Sequence, residues 1–235
     1  LFPGLYHTSQ LDSTQSLWSA NARSSVSPDR GSTLTVIIDQ FLIIPLAIGK
    51  MCVTLPLHMG NGVLVTGGAK RIGRAICLQL ARDGKPIAVQ YNNSELEAQS
   101  LVEEIGSLGG IAARLQCDLS NFESTSNLFG DAVARIGPIT GLVNNASQFV
   151  YDDISNFDAL SWKSHMDVNA RAPLILTRSL FESVHDGETG SVVNILDQKL
   201  ASPNPDHISY TASKFALAGI TEALSRGLAP KIRVN

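Results

Sequence analysis

Tyr210 and Lys214, four residues apart in the run Tyr210-Thr-Ala-Ser-Lys214, are the strongest chemical signal in the sequence. On a helix that spacing puts the phenol and the ammonium on one face. The ammonium, helped by a positively charged nicotinamide, would lower the phenol pKa from about 10 and ready it for proton transfer near neutral pH. A surface pair is the alternative reading of the spacing alone. A second signal is Thr66-Gly67-Gly68-Ala69-Lys70-Arg71-Ile72-Gly73, which opens an amphipathic stretch. Glycines here permit a tight turn and a close approach of main chain to a pyrophosphate, which the amides at a helix N-terminus attract. Gly67, Lys70, Arg71, Ile72 and Gly73 are the candidate contacts of this turn, and an ordinary strand-to-helix turn is its bland alternative.

The elements that must position these groups are legible in the period of the chain. From Gly62 onward, short β-branched runs alternate with longer amphipathic ones, predicting strands at 62–66, 86–91, 111–116, 139–143, 190–196 and 231–235. The intervening helices are expected at 71–83, 94–107, 121–136, 161–184 and 208–228. This β-α order predicts a single α/β domain, a Rossmann-like, doubly wound parallel sheet. Its ligands bind beyond the carboxyl ends of the strands. Asp118 and Leu119 fall at the end of the third strand, where a carboxylate could accept an adenine amino group; a helix cap is the alternative. Asn144, Ala146 and Ser147 follow the fourth strand, in a segment small enough to pack against a cofactor, or to make a plain turn.

The end of the second strand indicates which dinucleotide is expected. An NAD-binding chain usually offers Asp or Glu there to the ribose 2′-hydroxyl. This chain reads Gln90-Tyr91-Asn92-Asn93-Ser94. Asn93 and Ser94 can donate to a 2′-phosphate, and Lys70 and Arg71 bring positive charge, so NADPH is the expected cofactor. Two alternatives stay open: the cations are solvated surface groups, or Glu95 is the NAD-type acid of a strand that ends later.

From about Gly62 to Asn235 the chain resembles the short-chain dehydrogenase/reductase family, carried by the Thr-Gly turn, Asp118, Asn144-Asn145-Ala146, and Tyr210 with Lys214. The resemblance implies that Asn169 helps to hold a proton-relay water beside Lys214. A buried or kink-associated polar residue is the alternative, because Pro173 lies four positions on. Where the family usually places a catalytic Ser, three positions past Asn194, this chain has Asp197; the middle glycine of its turn is Arg71, and Phe149 follows the Asn-Asn-Ala segment. In these respects it looks like the pteridine reductases. That likeness implies that Asp197 works with Tyr210 in proton delivery, Arg71 touches cofactor and pterin, Ser147 helps orient the ring, and Phe149 stacks on it. A flat aromatic substrate favours such stacking, although Phe149 also reads as a core aromatic, and Asp197 as a turn acid. The expected activity is NADPH-dependent reduction of a C=N bond in a pterin or dihydrofolate-like substrate. A carbonyl or 3-oxoacyl reductase, and a catalytically silent NADP(H)-binding module, are the alternatives. By resemblance, helices 161–184 and 208–228 form the dimer faces of a homotetramer.

Bulk properties agree with a cytoplasmic globular enzyme. The 235 residues are 44% hydrophobic and 17% charged, with a formal net charge of -3 and no basic run that would suggest nucleic acid. Three scattered cysteines, Cys52, Cys77 and Cys117, fit neither a disulfide framework nor a zinc site. Residues 1–58 read as a poorly ordered or non-native extension, rich in Ser, Asn, Gln and Thr at its start, with Met59 as the expected natural start. The apolar run 34–48 is interrupted by Asp39 and Pro45 and is too short to span a membrane. It reads instead as a loosely packed or non-native segment, an appended strand or helix, or a membrane contact. The ending at Lys231-Ile-Arg-Val-Asn235, with an apolar run in progress, predicts that the domain over 59–235 is incomplete; the resemblance places a substrate-covering loop and a final strand after it.

Overall fold

A computed structural model describes residues 61–235; the extension over 1–58, with the run 34–48, Cys52 and the proposed start at Met59, lies outside the described residues. Six parallel strands form one sheet: β1 (Gly62–Val65), β2 (Ile87–Tyr91), β3 (Ala112–Gln116), β4 (Ile139–Asn144), β5 (Gly190–Asn194) and β6 (Ile232–Val234). Their order is β3-β2-β1-β4-β5-β6, so the chain reverses its direction of growth between β1 and β4. That switch opens a crevice at the carboxyl ends of these two strands.

The centre of the sheet is buried on both faces, so β1 and β2 are buried along their whole length, whereas β6 at the edge alternates buried and exposed residues. Leu64, Ala88, Leu142 and Val192 point to one side, where they pack with Leu128 and Phe129 of α3 (Phe122–Ile136) and Leu176 and Leu180 of α5 (Ala172–Ser183). Val63, Val65, Ile87 and Val89 point to the other, against Cys77 of α1 (Arg71–Arg82) and Leu101 and Ile105 of α2 (Glu95–Ser107). Truncating a fully buried leucine such as Leu176 to alanine costs about 2–5 kcal/mol.

The helix expected over 161–184 is three pieces: α4 (Ala159–Met166), a π-helical turn (Asp167–Arg171) and α5. Pro173 has no N–H to donate to the carbonyl of Asn169, so the regular ladder fails there and a wider turn takes its place. α4 starts at Asp158, whose carboxylate accepts from the amides of Leu160 and Ser161 at 2.8 and 2.9 Å. The last helix, α6 (Ile208–Gly227), is capped from elsewhere. Buried Asp152 accepts the amide of Ser209 at 3.2 Å through both carboxylate oxygens, a charge placed where the helix dipole favours it. Among the described residues, no helix is long and apolar enough to cross a membrane.

Candidate active site

The glycine turn between β1 and α1 is built so that main chain approaches main chain. Gly67 has φ +61°, and a methyl group at Gly73 would stand 2.2 Å from the carbonyl oxygen of Gly67. Asn145 fastens the turn, its Nδ2 donating to the carbonyls of Thr66 and Gly67 at 2.9 and 3.1 Å. The Thr66 hydroxyl accepts the amides of Asn145 and Ala146, at 3.0 Å each. No side chain caps α1, and its first turn holds no acid, so its N-terminal amides are suited to a phosphate. These features fit a dinucleotide. Arg71, where glycine would be unstrained, sits at φ +52°. A non-glycine residue in that region costs about 1–2 kcal/mol.

The turn faces a cavity of about 350 Å³ lined by Gly67, Gln90, Asn92, Asp118, Leu119, Ser120 and Ala146, reaching Ser147 and Gln148. It lies at the carboxyl ends of the strands beside the switch point, where this architecture binds ligands. A larger cavity, about 760 Å³, runs along Arg114, Gln116, Asn127 and Arg135 on the flank of β3; it contains none of the candidate residues, and position outweighs size in assigning the ligand groove. Between the starts of α1 and α2 a third cavity of about 410 Å³ is lined by Lys70, Arg71, Arg74 and Glu97. Lys70 pairs with Glu97 at 2.7 Å, so part of its charge is already answered. Asn93 is exposed and Ser94 precedes α2 without capping it. Glu95, the acid that an NAD-binding reading would use, pairs with Arg114 at 2.8 Å. Asp118 accepts from the amide and hydroxyl of Ser120 at 2.9 and 2.8 Å, making a turn at the rim of the groove as well as lining it.

The candidate chemical centre is the group formed by Tyr210, Asp197 and Lys214. Tyr210 Oη donates to Asp197 Oδ2 at 2.6 Å. Among the protein's own groups Lys214 does not lower the phenol pKa: burial, then the hydrogen bond and charge of Asp197, push Tyr210 well above the ordinary value, opposed only by Ser147. Lys214 is itself buried; its ammonium donates to the carbonyl of Ile195 at 2.9 Å and lies 5.7 Å from the centre of the phenol ring. Burial pushes its pKa down, with Asp197 opposing. Burial also pushes Asp197 up, but the Tyr210 hydroxyl, the Lys199 amide and the ammonium groups of Lys214 and Lys199 together bring it below the usual carboxylate range. A neutral phenol that donates to a carboxylate is a proton store, whereas the sequence alone suggested an acidified phenol.

Asn169, on the π turn, is fully buried and fully used. Its Nδ2 donates to Gln148 O and Ser213 Oγ, both at 2.9 Å, and its Oδ1 accepts the Gln148 amide at 2.7 Å and the Ser147 hydroxyl at 3.3 Å. The amide therefore braces the segment after β4 against α6. Asn144 is turned into the sheet, donating to Asn194 Oδ1 at 2.8 Å, away from the groove; Asn145 does the bracing there. Phe149 stands half exposed in a T-shaped contact with Tyr210, ring centres 4.6 Å apart.

Three contributors escaped the sequence reading. Gln90 accepts the Gly67 amide at 2.7 Å and donates to Cys117 O at 2.8 Å, tying the turn to the end of β3; its one signal was a polar residue inside an apolar strand. His165 and His207 hold the peptide groups of Val150. His165 Nε2 accepts the Val150 amide at 3.1 Å, which leaves Nδ1 protonated to donate to Ser161 O at 2.9 Å. His207 Nδ1 lies 3.1 Å from the Val150 carbonyl, and since a carbonyl only accepts, the imidazole donates. Nothing in their spacing distinguished these histidines from surface ones.

Comparison with known proteins agrees with this geometry. Residues 61–235 match the short chain dehydrogenase family. An oxidoreductase of Methylorubrum extorquens is 36% identical over 177 residues, 75% of this chain and 71% of that protein. The 3-oxoacyl-acyl-carrier-protein reductase FabG of Staphylococcus epidermidis is 29% identical, over 75% of this chain and 73% of its own length. Among solved structures, FolM alternative dihydrofolate reductase 1 from Brucella canis, complexed with NADP, superposes with a TM-score of 0.72 at 41% identity, covering 76% of this chain and 72% of that one.

Proposed function

Because the chain belongs to the short chain dehydrogenase family, we propose that it is an NADPH-dependent oxidoreductase that reduces a C=N bond in a pterin or dihydrofolate-like substrate. The observation that carries this reading is the 2.6 Å hydrogen bond from Tyr210 to Asp197, beside Ser147 and Phe149. Asp197 takes the place of a hydroxyl, and a carboxylate can accept from the ring N–H and amino groups of a pterin while the phenol holds the proton to be delivered. The likeness to the Brucella protein, complexed with NADP, supports the same substrate class and cofactor.

Gly67, Ile72 and Gly73 would hold the pyrophosphate with main-chain groups, Asp118 and Leu119 the adenine, and Arg71, Asn93 and Ser94 the 2′-phosphate, with Lys70 adding charge. Reduced NADPH, when bound, supplies the hydride. Tyr210 gives its proton from Oη to the substrate nitrogen, completing the two-electron reduction, and Asp197 orients the acceptor. Lys214 keeps a positive charge below the phenol, and Asn169 fixes the segment carrying Ser147. Phe149 lies against the flat ring.

The likeness to FabG favours a second reading, reduction of 3-oxoacyl thioesters, in which Asp197 merely replaces a hydroxyl. Oxidation of NADPH, followed spectrophotometrically with dihydrobiopterin, dihydromonapterin, dihydrofolate and a 3-oxoacyl thioester, separates the two. Turnover of the dihydropterins is expected; turnover of the thioester alone rejects the pterin reading.

A further inference from the structure

The ring of Phe149 is already half of a stack. The imidazole of His207 lies on one face of it, ring centres 4.1 Å apart and planes 12° from parallel. His207 reaches that position at a cost: it sits at φ +52°, ψ +49°, left-handed, at the N-cap of α6, where cap residues ordinarily have extended backbone. Its surroundings hold it there. The His207 amide donates to Asp152 O at 2.6 Å, its carbonyl accepts from Thr211 at 2.8 Å, and its Nδ1 reaches Val150 O at 3.1 Å. One residue earlier, Asp206 is bound by the half-buried Lys199 at 2.7 Å, and the Lys199 amide donates to Asp197 at 2.8 Å. One loop therefore fixes both the carboxylate at the chemical centre and the imidazole on Phe149. A strained residue held by this many bonds beside a reactive pair is where function is to be sought.

We propose that His207 is a substrate-positioning residue: it forms the outer layer of an aromatic stack, with the half-exposed Phe149 in the middle and the flat ring of the substrate on the side away from the imidazole. The inference rests on the pterin reading above and adds the residue that sets the angle of its stacking platform. Phe149 has one face covered by His207 and makes a T-shaped contact with Tyr210, so two neighbours define its ring plane. Without the imidazole only the contact with Tyr210 remains, and substrate binding must then do more to order the ring.

The test compares His207→Asn with the wild-type protein. Asparagine tolerates the left-handed backbone and retains a polar tip, but it cannot stack. Binding of oxidised biopterin to the NADP-loaded protein, measured by calorimetry, is expected to weaken about fivefold, the scale of one aromatic pair. The KM for dihydrobiopterin should rise alike, with kcat and NADPH affinity nearly unchanged. In a Phe149→Leu background the same substitution should have no further effect, because its partner ring is gone. Unchanged biopterin affinity in His207→Asn, or tighter binding, would overturn the inference while leaving the pterin reading in place. An equal loss in both backgrounds would overturn it too, since the effect would then be general. No biopterin binding by the wild-type protein would overturn the pterin reading, and this inference with it.

Discussion

A phenol that gives its hydrogen bond to a carboxylate 2.6 Å away is tuned to keep its proton until a better acceptor arrives. Tyr210→Phe removes that proton while leaving the ring, so turnover should fall by about 10²–10⁴, the usual share of a general acid, and NADPH affinity should stay within about twofold. Steady-state kinetics and a fluorescence titration check the two halves. The raised phenol pKa also has a sign in stability. The folded state binds this proton more tightly than the unfolded one, so its contribution is complete below the ordinary phenol value of about 10 and is lost as pH rises beyond it. Denaturant melts between pH 10 and 12 should therefore show wild-type stability falling more steeply than that of Tyr210→Phe. The spacing of Tyr210 and Lys214 was legible as one helix face, and Asp197 as an acid in an unusual place. The direction of the phenol shift was not, because it depends on a side chain thirteen residues away folding onto the ring and on how deeply both are buried.

At the scale of elements, the site is a set of joints between strands and helices, and each joint has a residue whose loss should show. A methyl at Gly73 would collide with the Gly67 carbonyl, which is main chain and cannot swing aside. Gly73→Ala should cost about 1–3 kcal/mol and weaken NADPH binding at least tenfold, read by chemical denaturation and titration. Asp152 caps α6 from outside the helix, so Asp152→Ala should cost about 0.5–2 kcal/mol. Because α6 carries Tyr210, kcat should fall more than NADPH affinity does. The period of the chain predicted nearly every strand and helix within two residues, since both faces of the sheet and one stripe of each helix must be apolar. It joined α4 and α5 into one helix because a π turn keeps the apolar period nearly intact. Pro173 was the visible clue, and its consequence, a buried Asn169 aimed at Gln148 and Ser213, needed the packing partners to be known. The cap from Asp152 and the two histidines on Val150 were hidden for the same reason: they are contacts between distant segments, with no local pattern.

In the domain as a whole, two separate cores clasp the sheet, one against α1 and α2 and the other against α3 and α5, and the groove lies where the chain switches from one half of the sheet to the other. A ligand in that groove touches the turn after β1, the ends of β2 and β3 and the segment after β4, so it ties together elements from both sides of the switch. Binding there must stabilise the entire domain, by an amount set only by affinity and concentration. At about one hundred times its Kd, NADPH should add about 2.7 kcal/mol, which for a domain of this size raises Tm by roughly 5–11 °C. Whether NADH does the same depends on one corner of the molecule. Glu95 pairs with Arg114 and Glu97 with Lys70, while Arg71 and Lys70 line the cavity between α1 and α2. A dinucleotide without the 2′-phosphate forfeits charge-assisted bonds to this corner and gains nothing in exchange. If that weakens NADH tenfold, the same concentration should raise Tm by only about half as much, and Arg71→Ala should bring the two shifts closer together. Thermal melts with each dinucleotide measure the difference, and equal shifts in the wild-type protein would show that this basic corner does not select the phosphate.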